Sequence, residues 1–189
     1  MKTVDRKSEI IATAANLFKE KGFAAVTMRD IAQALDIKAA SLYNHIKSKQ
    51  EILVLIIIEI AEEFTVNMNE IAISNQTAVQ KLEKIINLHV AITIRNPNEL
   101  AALNNDWVHL SNPELQYFVQ MRDDYEQNFR RIIKAGIANH EIKNLNPEVV
   151  IFSMLSTLRT LYLWYGKKKT INEQTLKSNM IQALLHGII

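Results

Sequence analysis

Apolar residues recur every three or four positions along nearly the whole chain, and four Gly and three Pro leave few places where that rhythm breaks. A 3.6-residue period belongs to the α-helix, so the pattern predicts an all-α protein. Ile10, Ala14 and Phe18, with Ile11 and Ala15 beside them, form one stripe that ends at Gly22, a helix-stopping residue. Thr27 with Asp30 three positions later reads as a capping box that opens a short second helix through Ile31 and Leu35. Asp36 and Ile37 make a tight turn, a third short helix runs through Leu42 to about Ile46, and Ser48 with Glu51 opens a fourth. The run Ile52–Ile58 is rich in β-branched residues and reads as a strand on propensity alone. Ile56, Ile60 and Phe64 keep helical spacing, however, and no turn or partner strand follows, so a long helix is predicted there.

Further helices are expected through Lys81–Ile94, through Leu100–Trp107 after a break at Asn96-Pro97, and from Asn112-Pro113-Glu114 to about Ala138. Asn146-Pro147-Glu148 repeats that cap, proline and acid and opens an eighth helix ending at Tyr165. Thr170 and Glu173 announce a ninth, which Gly187 closes. The eighth helix is apolar nearly all round and must be covered on both sides. Together with the ninth it carries more apolar surface than one small helical domain covers. That surplus predicts a homodimer in which two helices from each protomer form a four-helix bundle through Leu155, Leu158, Leu176, Met180 and Leu184. Arg159, a lone charge in such a helix, is either paired across the interface or turned to a pocket.

Composition narrows the function more than the fold. Apolar residues make up 48% and charged residues 22%, a globular balance. The absence of cysteine removes disulfides, thiolate zinc sites and cysteine nucleophiles and points to the cytoplasm. No apolar leader follows the polar N-terminus, and the longest apolar run, Ile52–Ile58, is far short of the ~20 residues that span a bilayer, so neither secretion nor membrane insertion is expected. The five histidines show no metal-ligand spacing, and neither a glycine-rich phosphate loop nor a readable triad is present. The chain is therefore expected to be neither an enzyme nor a metal or cofactor protein. Net charge is only +2, but residues 1–50 hold nine Lys and Arg against five Asp and Glu, a balance of +4, and the remainder balances to −2. The N-terminal end is the one suited to an anionic partner, although a solvated basic face gives the same count.

The segment Thr27–Lys49 has the layout of a helix-turn-helix, in which the second helix offers its N-terminal residues to base edges in the major groove. Ile31, Leu35, Ile37, Leu42 and Ile46 hold the unit together, which leaves Lys38, Ala39, Ala40, Ser41, Tyr43, Asn44 and His45 on the outer face. Small side chains there allow close approach, Ser41 and Asn44 can hydrogen-bond, and Ala can touch a thymine methyl. The stretch TMRDIAQALDIKAASLYNHIKSKQEIL resembles the DNA-binding signature of the TetR family, T-x-x-x-I-A-x-x-x-G-V-S-x-x-x-L-Y-x-H/Y-F-x-x-K-x-x-L. The resemblance implies that Thr27, Tyr43, His45 and Lys49 hold phosphates, that Lys38, Ala39, Ala40, Ser41 and Asn44 face bases, and that Arg29 contacts either. Two positions depart from the pattern. Asp36 replaces the usual turn glycine, tolerating a left-handed backbone while adding a negative charge, and Ile46 replaces phenylalanine.

The resemblance implies residues 1–47 as a three-helix DNA-binding domain and 48–189 as a larger helical domain for ligand binding and dimerisation. From Phe129 to Ile189 the chain is similar to members that respond to fatty acids or acyl-CoA and end their eighth helix in a Trp-Tyr pair; Trp164 and Tyr165 read more readily as helix-end packing than as ligand contacts. Polar and aromatic residues scattered among apolar ones on helices five to seven suit a cavity with a few orienting groups, namely His89, Arg95, Asn105, Trp107, Tyr117, Arg122 and Tyr125. The function expected is a repressor that binds palindromic operator DNA as a homodimer and is released by a small, mostly apolar effector of the acyl-CoA kind. A helical carrier or adaptor that does not bind DNA is the alternative, and a salt-dependent DNA shift assay separates the two.

Overall fold

The computed structural model describes residues 5–166 and 171–189. Among them lie nine α-helices and no strand. The helices are α1 (Arg6–Lys21), α2 (Met28–Ala34), α3 (Ala39–Leu42), α4 (Lys49–Ile73), α5 (Ala78–Arg95), α6 (Pro97–Asn105), α7 (Glu114–Ala138), α8 (Pro147–Tyr165) and α9 (Glu173–Leu185). Two single turns of 3-10 helix, Phe23–Ala25 and Trp107–His109, follow α1 and α6. The chain forms two compact units, one from residues up to Ala61 with Asn98–Val119, the other from Glu62–Pro97 with Gln120–Ile189.

In the first unit α1 buries Ile10, Ala14, Ala15, Leu17 and Phe18 and stops at Gly22, whose positive φ of 80° favours glycine. Asn98, at the start of α6, accepts a hydrogen bond from Lys19 at 2.9 Å on α1. Ile52, Leu53, Ile56 and Ile57 of α4 are all buried, so the β-branched run is helical because its packing outweighs its propensity.

In the second unit α5 packs on both α8 and α9. Its N-terminus carries a capping box between Thr77 and Gln80 that sequence reading does not anticipate, and the Glu141 carboxylate accepts from the Ala78 N–H at 2.5 Å. A negative group there meets the orphan N–H groups and the positive end of the helix dipole. Gly136 of α7 makes the neighbourhood close, since a Cβ on it would lie 2.5 Å from the Ile142 side chain and 2.7 Å from that of Ala78. Asn146 caps α8 by accepting from the Glu148 N–H at 2.9 Å, with Pro147 at the first helical position as expected. The ninth helix differs from expectation. Asn172 caps it, accepting from the Thr175 N–H at 2.9 Å, and Thr170 lies outside the described residues.

Candidate functional site

The N-terminal site is built by three local devices. Thr27 and Asp30 close the expected capping box on α2: Thr27 Oγ1 accepts from the Asp30 N–H at 3.2 Å, and the Asp30 carboxylate accepts from the Thr27 N–H at 2.7 Å. The Thr27 hydroxyl, which donates to the Asp30 carboxylate at 2.6 Å, and after it the Thr27 N–H hold the Asp30 carboxyl below its ordinary value. At the turn Asp36 takes φ 53°, so the chain reverses in a left-handed conformation that usually calls for glycine. The Ile37 N–H returns to the Ala32 carbonyl at 3.0 Å and ties the turn to the end of α2.

The recognition element that follows is shorter than expected. α3 covers only Ala39–Leu42, and the chain continues as tight turns in which the His45 and Ile46 N–H groups both reach the Leu42 carbonyl. Ile31, Leu42 and Ile46 are buried beneath it, and Leu35 and Ile37 are half-buried. Lys38, Ala40, Ser41, Tyr43, Asn44 and His45 are exposed, Tyr43 at 53%, whereas Ala39 is half-buried. Thr27 and Arg29 are exposed on the neighbouring helix start. The structure therefore brings these residues onto one compact, largely solvent-facing unit.

Lys49 departs from the expectation that it holds a phosphate. Its ammonium turns inward and donates to the carbonyls of Val26 at 2.6 Å and Phe23 at 2.7 Å, while lying 4.2 Å from the centre of the Phe23 ring. Two of the three donors on a compact ammonium are thus committed to the turn that precedes α2. The same turn is held from α6 and its following 3-10 turn. The Asp106 carboxylate accepts from the Phe23 N–H at 3.3 Å, and His109 stacks on the Phe23 ring at 5.3 Å. Burial pushes the Asp106 carboxyl up, opposed by the Phe23 N–H. Lys49 is a positioning residue for the helix-turn-helix. Lys49→Met should lower unfolding stability by about 1–2 kcal/mol in urea, through lost charge-assisted hydrogen bonds. It should leave the salt dependence of DNA binding unchanged, because an ammonium committed inside the fold neutralises no phosphate.

The residues expected to line an effector cavity fall in both compact units. His89, Arg95, Arg122 and Tyr125 belong to the second compact unit, while Asn105, Trp107 and Tyr117 belong to the first. His89 and Tyr125 meet: His89 Nε2 is 2.9 Å from the Tyr125 hydroxyl, and Phe64 lies against the imidazole with ring centres 4.6 Å apart. Both polar groups are buried. Burial, with the Arg159 charge as a smaller contributor, pushes the His89 imidazole down to about 3, and burial pushes the Tyr125 phenol up. Arg159 donates to the Glu126 carboxylate at 2.7 Å within the chain. Arg95 pairs with Glu63 on the exposed side of α5, Arg122 lies 4.0 Å from Asp123, and Trp107 packs on Phe118.

Three of the five residues expected at the dimer interface are buried inside the single chain. Leu155, Leu158 and Leu176 are 3%, 1% and 3% exposed, because they fill the core between α5, α8 and α9. Met180 and Leu184 are half-buried. The outward face of α8 is a different stripe, in which Val149, Phe152, Leu163 and Trp164 stand 60%, 72%, 52% and 45% exposed around Ser153, Ser156, Thr157 and Thr160. These positions share one side of the helix at i, i+3, i+4 and i+7 spacing. The outward face of α9 is small and polar, with Thr175, Ser178, Asn179, Gln182 and Ala183 exposed.

Two family descriptions match the chain: "Bacterial regulatory proteins, tetR family" over residues 10–56, and "Tetracyclin repressor-like, C-terminal domain" over residues 75–188. The chain is 23% identical to the HTH-type transcriptional repressor KstR2 of Rhodococcus jostii over 185 residues, covering 97% of this chain and 91% of the relative. Among solved structures it is similar to the ketosteroid transcriptional regulator KstR2 of Mycobacterium tuberculosis, with TM-score 0.90, 21% identity and coverage of 98% of this chain and 96% of the other. It is also similar to AibR in complex with isovaleryl coenzyme A and operator DNA, with TM-score 0.77, 20% identity and coverage of 94% and 96%. Among the described residues no helix is long and apolar enough to cross a membrane.

Proposed function

The chain belongs to the TetR family of bacterial regulatory proteins, and on that premise we propose that it is a cytoplasmic, homodimeric repressor that a small apolar effector releases from operator DNA. It is a regulator rather than an enzyme. One observation carries the reading. Lys38, Ala40, Ser41, Tyr43, Asn44 and His45 face solvent on an element whose opposite side, Leu42 and Ile46, is locked into the core. A segment of small and hydrogen-bonding residues beside cations has no packing duty there, and it suits base edges flanked by phosphates. We retain residues 1–47 as the DNA-binding domain and 48–189 as the effector and dimerisation domain.

The dimer forms through the outward stripe of α8 and the facing side of α9. Four large apolar side chains exposed on one helix favour burial, and the row of Ser and Thr between them lets a second helix approach closely. The effector is of the acyl-CoA kind, a reading supported by the isovaleryl coenzyme A in the AibR structure. It binds the conformation whose recognition segments are wrongly spaced for DNA, and a 100-fold preference for that conformation shifts the equilibrium by ~2.7 kcal/mol.

The contact roles are separable by mutation. Tyr43→Ala should weaken binding to every duplex by a similar factor, because a phosphate contact carries no sequence information, whereas Asn44→Ala should change which base pair is preferred at one position of each half-site. Competition binding against a panel of single-substitution operators checks both. Unchanged affinity of the Tyr43→Ala protein and an unchanged preference of the Asn44→Ala protein would together remove this face from the DNA interface.

A further inference from the structure

Resting on the effector reading above, we propose that His89, Thr93 and Tyr125 form an inner polar site for an uncharged oxygen, a carbonyl or hydroxyl, carried on an aliphatic effector. Thr93 is the observation that the repressor reading leaves unused. It is 1% exposed, and its hydroxyl oxygen has no hydrogen-bond partner. A threonine buried in a helix ordinarily satisfies its hydroxyl on the carbonyl one turn back, or gives way to valine of the same shape. Thr93 sits one helical turn beyond His89 on α5, so the two side chains share a face about 5–6 Å apart at their Cβ atoms.

Proton accounting at His89 and Tyr125 points the same way. A neutral imidazole has one N–H and one lone pair, and a phenol has one O–H. Their shared contact at 2.9 Å uses one donor and one acceptor, so whichever tautomer is present, one donor and one acceptor remain. To that remaining donor the face adds the Thr93 hydroxyl, which is buried without a partner. A ligand oxygen accepts from them.

The charge of that oxygen follows from what surrounds it. Burial keeps His89 neutral, with its pKa near 3, and keeps Tyr125 protonated. The nearest cation, Arg159, is already paired with Glu126. An ionised carboxylate would be buried beside a cation that already has its partner, a cost that an ester, thioester, ketone or alcohol oxygen avoids. His89, Thr93, Tyr125 and the ring of Phe64 are each at most 9% exposed, so the ligand binds a conformation in which these helices have parted. Any charged portion of the effector stays outside this inner site.

The test uses the full chain and three probes of one length: methyl decanoate, decanol and ionised decanoate. In thermal unfolding at neutral pH, the ester and the alcohol should raise the transition temperature, and decanoate should shift it little. Thr93→Val keeps the shape and removes the hydroxyl. It should leave the ligand-free protein as stable as before or more so, and weaken ester and alcohol binding about fivefold, while Thr93→Ser restores it. Tyr125→Phe should weaken binding similarly. Decanoate binding as tightly as its ester, no shift with ester and alcohol, or unchanged ester affinity in the Thr93→Val protein overturns the proposal. Operator binding measured without ligand keeps the outcomes separate: a protein that binds operator but prefers decanoate fails this inference alone, and one that binds no operator fails the repressor reading.

Discussion

Phe152→Glu should yield a folded monomer that binds operator at least about a hundredfold more weakly than the parent protein, while Leu155→Glu should fail to fold. The two residues are three apart on α8, yet Phe152 is 72% exposed and Leu155 is 3% exposed. A carboxylate at position 152 stays hydrated in the single chain, so folding is spared. On dimerisation it would be buried against a second apolar stripe with nothing to pair it, a cost of several kcal/mol. Losing the dimer removes the second half-site contact, and the gain from linking two sites is commonly 10²–10⁴-fold. At position 155 the same carboxylate must be buried for the chain to fold at all, against a total stability of about 5–15 kcal/mol. Sedimentation velocity with circular dichroism reads both outcomes. A stable Phe152→Glu dimer would move the interface off this face of α8.

The second large effect concerns acid. His89 is neutral in the folded chain down to a pKa of about 3, against an ordinary value of 6.5 when the chain is unfolded. Between those values the unfolded chain binds a proton that the folded chain refuses, so stability is complete above about pH 6.5 and falls as the pH drops. The loss from this one residue is about 1.4 kcal/mol for each pH unit. His89→Gln retains a side chain that can bond to Tyr125 but cannot titrate. It should flatten the acid limb of the stability profile by that amount in urea unfolding between about pH 6.5 and 4.5. Superimposable profiles for parent and variant would show that His89 takes up a proton in the folded chain as readily as in water.

What was legible in the sequence was mainly local. The Thr27–Asp30 box, the Asn146-Pro147 start of α8 and the left-handed Asp36 each rest on hydrogen bonds or backbone preferences within a few residues, and each was found where expected. The ninth helix shows the limit of that reasoning, since Asn172, two positions beyond Thr170, is the residue that caps it. The face of α8 was not legible, because a helix apolar nearly all round has no direction, and only the packing of α5 and α9 decides that Leu155 and Leu158 turn inward while Phe152 turns out. The inward turn of Lys49 was not legible for a related reason. Its carbonyl partners lie more than 20 residues earlier in the chain, beyond any local rule. Thr93 has the opposite character: an ordinary helical threonine in sequence, it becomes informative only when its hydroxyl is seen buried and unpaired.

The central claim, that the exposed Lys38–His45 face reads operator DNA for a dimer, is tested most directly by selecting genomic fragments with the purified protein and footprinting those it retains. The expected result is a discrete palindromic site, protected by two chains, with half-site centres about 34–36 Å apart along the duplex. Affinity for that site should exceed affinity for random duplex by at least about 10³-fold at physiological salt. Retention of all fragments alike, with one salt dependence and no protected palindrome, would contradict the claim.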